Sequence, residues 1–83
     1  MKNTAEFQGV VKHHQQHFLG ITGDDDFGHT LRVEAMVRPG WLDVRARGAE
    51  RPTLVGHVVR VEGDMKEDGH IVARTVEDMG VFV

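Results

Sequence analysis

The sequence predicts an all-β fold, a small closed barrel of five to six strands. Three observations carry this expectation. No stretch shows the apolar stripe of an amphipathic helix. Short valine-rich runs alternate with polar residues. Turn residues, including ten glycines among 83 residues, recur at short spacing between those runs. The pattern fits a sandwich or a barrel, and five or six strands in so short a chain favour the barrel. Closure removes the sheet edges that a small open sheet would expose.

Each element follows from local chemistry. Residues 1–5 read as a frayed terminus. Residues 7–12, Phe-Gln-Gly-Val-Val-Lys, form a first strand in which Gly9 marks a bulge or bend. Residues 13–17, His-His-Gln-Gln-His, are ambiguous between a turn and a continuing strand, and residues 18–22 return as strand. The small and acidic residues 23–28 suit a loop. A hairpin follows, with strands near 30–38 and 41–47. Its turn is Arg38-Pro39-Gly40-Trp41, since proline fits the first central position of a type II turn and glycine the positive φ of the second.

That turn implies a register. Val37 would face Leu42, Ala35 Val44 and Val33 Ala46, making one apolar face. Arg38 would face Trp41, Met36 Asp43, Glu34 Arg45 and Arg32 Arg47, making the other. Two opposed arginines repel. A folded surface that nevertheless gathers Arg32, Arg38, Trp41, Arg45 and Arg47 is suited to an anion or a stacked base.

Residues 48–52 break the pattern with Gly48 and Pro52. Residues 53–56 lead into a strand at 57–62, a hairpin loop spans 63–69, and the next strand covers 70–77. Residues 79–83, Met-Gly-Val-Phe-Val, form an apolar tail. One domain, residues 1–83, is expected, with a modest core, because a chain this small buries only about 60–65% of its unfolded surface.

Net charge is −3, which disfavours indiscriminate binding of polyanions. The distribution is uneven. Residues 31–61 hold six arginines against three acids, a net +3, while the remainder holds four cations against ten acids, a net −6. This reads either as a mixed charged surface or as a basic face within an acidic shell.

Residues 54–63, Leu-Val-Gly-His-Val-Val-Arg-Val-Glu-Gly, followed after a short polar loop by 68–77, Asp-Gly-His-Ile-Val-Ala-Arg-Thr-Val-Glu, resemble the last two strands of OB-fold modules. Phe7-Gln-Gly-Val-Val resembles the opening of strand one, with its curving glycine. The resemblance covers about residues 6–78, and it makes the central hairpin strands two and three. One departure stands out. Many OB-folds hold a helix between strands three and four, and here only nine residues, 48–56, with Pro52 among them, are available. A loop or single turn must close the barrel bottom, and an SH3-like barrel stays in contention.

The resemblance implies binding of oligonucleotides or oligosaccharides on the strand two–three face. For single-stranded nucleic acid, Trp41 would be the stacking platform. Arg32, Arg38, Arg45 and Arg47 would meet phosphate, and Arg60 and Arg74 would extend the track. The alternative is structural: Trp41 caps the barrel, and the arginines pair with Glu34, Asp43 and Glu62.

Six histidines are present. His13 and His17 would share a face on a helix and could there bind zinc. On a strand they also share a side, but about 13 Å apart, too far for one metal. His57 and His70 flank the last hairpin, where the two would be near neighbours. Protonation of the histidines below about pH 6.5 would strengthen polyanion binding. Asp24, Asp25 and Asp26, like Asp64, Glu67 and Asp68, read as solvated acidic turns, because consecutive acids point in different directions.

Cysteine, serine and tyrosine are absent, which leaves few nucleophiles, and no phosphate-cradling glycine loop occurs. The expectation is therefore a non-catalytic module without cofactor or metal. It lacks a signal-peptide run or a membrane-spanning stretch, so it is taken as cytoplasmic. Its partner would be single-stranded nucleic acid. The rival is a protein-interaction or homo-oligomeric assembly module using the C-terminal strand, through Met79, Val81, Phe82 and Val83.

Overall fold

A computed structural model describes residues 4–18, 27–37, 39–48 and 51–81. It contains five strands and, among the described residues, no helix: β1 (Thr4–Phe18), β2 (Phe27–Ala35), β3 (Trp41–Arg47), β4 (His57–Met65) and β5 (Ile71–Val81). They form one sheet that closes on itself in the order β1-β2-β3-β5-β4, a barrel-like ring. Every ladder is antiparallel except β3–β5, which is parallel and consists of Val44 opposite Ile71 and Arg45 opposite Val72.

Alternation puts the core in the middle of the ring. Val11, Leu31, Val33, Val44, Val59, Val61 and Ile71 are fully buried, and Phe7, Leu42, Met65 and Val76 pack against them. Burying each aliphatic side chain of this size stabilises the fold by roughly 1.5–3 kcal/mol. The described part of the connection from β3 to β4, residues 48 and 51–56, contains no helix and is tied to the ring by hydrogen bonds. Gly48 N donates to Phe27 O at 3.0 Å, and Gly56 N donates to Val11 O at 2.8 Å. Thr53 is buried there and donates its hydroxyl to Asp78 on β5 at 2.9 Å.

Two glycines permit the curvature. At Gly9, β1 is paired on both sides, to Ala35 of β2 and Val59 of β4. A β-carbon at Gly9 would lie 2.2 Å from the backbone oxygen of Glu34. Gly63 is the counterpart on β4, paired to Ala5 and Ala73, where a β-carbon would lie 2.1 Å from the oxygen of Val72.

The structure corrects several local expectations. Residues 13–17, open between a turn and a continuing strand, continue the strand: β1 runs through the histidines to Phe18, whose ring meets Phe27 edge-on at 5.7 Å. Residues 19–26, with the expected strand return and the acidic triplet, lie outside the described residues. The bulge of β1 falls at Lys12, between Val11 and His13, rather than at Gly9. Thr4 and Ala5, within the stretch expected to fray, pair with Asp64 and Gly63. At the other end β5 extends through Val81, so Met79 to Val81 are strand, and His57 pairs with Val81.

The central hairpin is the most informative correction. β2 ends at Ala35, and Ala35 N donates to Gly40 O at 2.9 Å. A five-residue connection therefore replaces the two-residue turn. The register moves by four positions: Glu34 faces Trp41, Val33 faces Leu42, Arg32 faces Asp43 and Leu31 faces Val44. The shift is even, so the paired side chains keep their expected faces, whereas Val37, expected on the apolar face opposite Leu42, lies in the connection and is 93% exposed. It also replaces the repulsive Arg32–Arg47 pair with an attractive Arg32–Asp43 pair, a cross-strand reason for the observed register.

Candidate nucleic-acid interface

The bulge at Lys12 sets which histidines face outward. Before it, odd-numbered residues such as Phe7, Gly9 and Val11 point inward. After it, His14 turns toward the interior and His13, Gln15 and His17 are exposed. These three residues meet the outer face of the hairpin in rungs. His13 lies opposite Arg32, which lies opposite Asp43; Gln15 is followed by Thr30 and Arg45; His17 is followed by Gly28 and Arg47. Glu34 and Trp41 form the next step on β2 and β3.

Trp41 is 55% exposed, and the Arg32 guanidinium lies 3.9 Å from its ring centroid. Arg32 Nε also lies 3.6 Å from Asp43 Oδ1. Such exposed contacts contribute only about 0.5–1 kcal/mol each, so they orient the two side chains more than they stabilise the fold. Two shallow grooves flank this centre. One, of about 500 Å³, is lined by Lys12, His13, Gln15, Thr30, Arg32 and Asp43. The other, of about 240 Å³, runs between β3 and the β4–β5 loop, with Trp41, Arg45, Asp68 and His70 on its walls. In that loop Asp68 accepts hydrogen bonds from the His70 backbone N–H and from its ring. These, with a smaller effect of Arg45, hold the Asp68 carboxyl below its ordinary value.

The face therefore gathers Arg32, Trp41, Arg45 and Arg47. Arg38 lies outside the described residues. Arg60 and Arg74 stand apart. Arg60, on β4, forms a two-pronged pair with Glu6 of β1 at 2.9 and 3.0 Å. Glu6 is accordingly lowered and Arg60 raised, each chiefly by that hydrogen bond. Arg74, on β5, turns to Asp64 at 2.9 Å and Glu62 at 3.8 Å. Both are turned away because carboxylates on neighbouring strands take them.

Inside the ring lies a pair of imidazoles. His29 is 1% exposed, and its Nε2 donates to Gly48 O at 2.9 Å. Its Nδ1 is then an acceptor and receives the Nε2–H of His14 at 3.0 Å, with the rings stacked at 5.2 Å. Burial, then Arg51 and the neighbouring histidines, lower the pKa of His14. Sequence reasoning missed His29. The signal was present, since position 29 continues the inward alternation of Leu31 and Val33.

His57 and His70 are not neighbours. His57 stands where β4 begins, opposite Val81, whereas His70 precedes Ile71 at the far end of the same ladder. His57 Nδ1 donates to Asp78 at 2.9 Å, and Thr53 donates to the same carboxylate. The backbone N–H of Gly80, His57 and Thr53 together lower Asp78. The threonine hydroxyl points at the carboxylate rather than at the imidazole, so the trio ties strands together and does not activate a nucleophile. Among the described residues no group of three or more histidine and acidic side chains is placed to hold a metal ion. Nor is any described helix long and apolar enough to cross a membrane.

Comparison with protein-family models, curated proteins and solved structures finds no match to this chain.

Proposed function

We propose that this chain is an OB-like, non-catalytic module that binds single-stranded nucleic acid across the outer face of β2 and β3. One observation carries the reading: a half-exposed Trp41 shares a surface with Arg32, Arg45 and Arg47. Stacking on the indole supplies sequence-tolerant affinity, and the guanidinium groups meet phosphate. The strand order, with β2–β3 between β1 and β5, supports the OB-like reading of the fold, and the groove beside the β4–β5 loop lies where such folds take ligands. The remaining acidic surface weakens binding elsewhere.

Titration of a short oligothymidylate into the protein tests this, with Trp41 fluorescence as the signal. Quenching is expected, with affinity falling as salt rises. Trp41→Ala should weaken binding by about 1–3 kcal/mol per stacked base, measured with a labelled oligonucleotide. Arg47→Glu should weaken it further at low salt. Absence of quenching together with salt-independent affinity would overturn the proposal.

A second reading, a protein-interaction or self-assembly module, has its own support. The β3–β5 ladder ends at Val72, and beyond it Met79 and Val81 are 53% and 68% exposed. Its test is the mass in solution of a chain ending before residue 79.

A further inference from the structure

Resting on the nucleic-acid reading of this face, we infer that His13 and His17 form a proton-gated lane of it, a set of phosphate contacts that switch on as pH falls. The geometry is a trough. β1 and β3 flank β2, so their outward side chains stand about 9.5 Å apart across it, and those on one strand recur every ~6.7 Å. The β1 wall carries His13, Gln15 and His17, and the β3 wall carries Asp43, Arg45 and Arg47. The floor carries Arg32 on the His13 rung and then Thr30 and Gly28, so it is open to a sugar-phosphate chain beside Gln15 and His17 and adds a guanidinium beside His13.

The charged surroundings are named by strand. His13 has Lys12 beside it on β1, Arg32 across on β2 and Asp43 beyond on β3. His17 shares its cleft with His29 of β2 and with Arg45 and Arg47 of β3. Of the other described histidines, His29 borders the cleft but has both ring nitrogens taken by His14 and Gly48 O, His14 bonds to His29, His57 is held by Asp78, and His70 by Asp68. One wall thus keeps its charge at any physiological pH, while the other is charged only when its imidazoles hold a second proton. A phosphate in the trough favours the protonated imidazoles, so binding takes up protons and tightens with acidity.

The salt dependence of oligothymidylate affinity, measured at about pH 8 and about pH 5.5, reads this directly. Each additional neutralised phosphate steepens the log–log slope by about 0.7, so two imidazoles steepen it by up to about 1.4. The double variant His13→Gln/His17→Gln, checked for folding by circular dichroism, should lose that steepening, whereas His57→Gln should keep it. Binding with equal slopes at both pH values overturns the inference and leaves the nucleic-acid reading intact. Steepening that survives in the double variant also overturns it. No binding at either pH overturns both together.

Discussion

Substitution Gly9→Ala adds one methyl group where β1 is paired on both sides and the Glu34 backbone comes close. The new carbon would stand 2.2 Å from the Glu34 backbone oxygen, and 2.8 Å from both the Glu34 carbonyl carbon and Val33 Cγ1. A side-chain neighbour could rotate away, but the Glu34 backbone cannot move without pulling β2 from β1. Because Gly9 also pairs with Val59, retreat in the other direction strains the β1–β4 ladder. Overpacking commonly costs about 1–3 kcal/mol, and a clash with backbone on a doubly paired strand belongs at or above the top of that range. A domain of this length has roughly 4–12 kcal/mol of total stability. A loss of about 3 kcal/mol would lower the melting temperature by roughly 12–24 °C. Urea and thermal unfolding followed by circular dichroism measure both quantities. Gly69→Ala is the comparison: φ is +92° there, but no atom lies within 4 Å of the added carbon, so only local backbone strain results. A cost at Gly9 below about 1 kcal/mol, or one equal to that at Gly69, would refute the close-approach reasoning.

Three further outcomes are expected. Asp78 is lowered below its ordinary value of 3.8, so it stabilises the fold above that pH, and the stabilisation is lost as pH falls through the folded-state value. Asp78→Asn should therefore show a smaller drop in melting temperature between neutral and strongly acidic buffer than the parent chain. His29→Leu should cost about 1–3 kcal/mol in urea unfolding, because it leaves Gly48 O and the His14 ring without their partner. Leu31→Ala, at a fully buried position, should cost about 2–5 kcal/mol in the same measurement.

What the sequence disclosed depended on the kind of physics involved. Strand identity and inward alternation were legible because valine, leucine and isoleucine at alternate positions leave one solution for burial. The faces of the central hairpin were legible for the same reason. Its register was not, because Pro39-Gly40 marks a chain reversal without fixing its length, and the cross-strand charge pair of Arg32 with Asp43 favours the longer loop. The bulge at Lys12 has no composition of its own, yet it determines that His13 and His17 look outward while His14 looks in. His29 was overlooked because histidine reads as polar, although its place beside Leu31 gave its burial away. Charge alone places Arg60 and Arg74 on a common track, but Glu6, from a strand distant in sequence, takes Arg60, and Asp64 and Glu62, across the adjacent hairpin, take Arg74.

The β3–β5 seam has a consequence for how the molecule yields. Four of the five ladders are long and antiparallel, and the fifth is a parallel latch of two residue pairs. Unfastening that latch leaves an uninterrupted strip, β3-β2-β1-β4-β5, with every other ladder intact. The N-terminal strand is then the spine of the strip, and the hairpin and the C-terminal strands are its two wings. The surface formed by β1, β2 and β3 lies wholly on one wing and the spine. Opening the seam would leave that surface whole but split the groove that Trp41 and Arg45 form with Asp68 and His70, so a ligand lying across the groove would favour the closed ring.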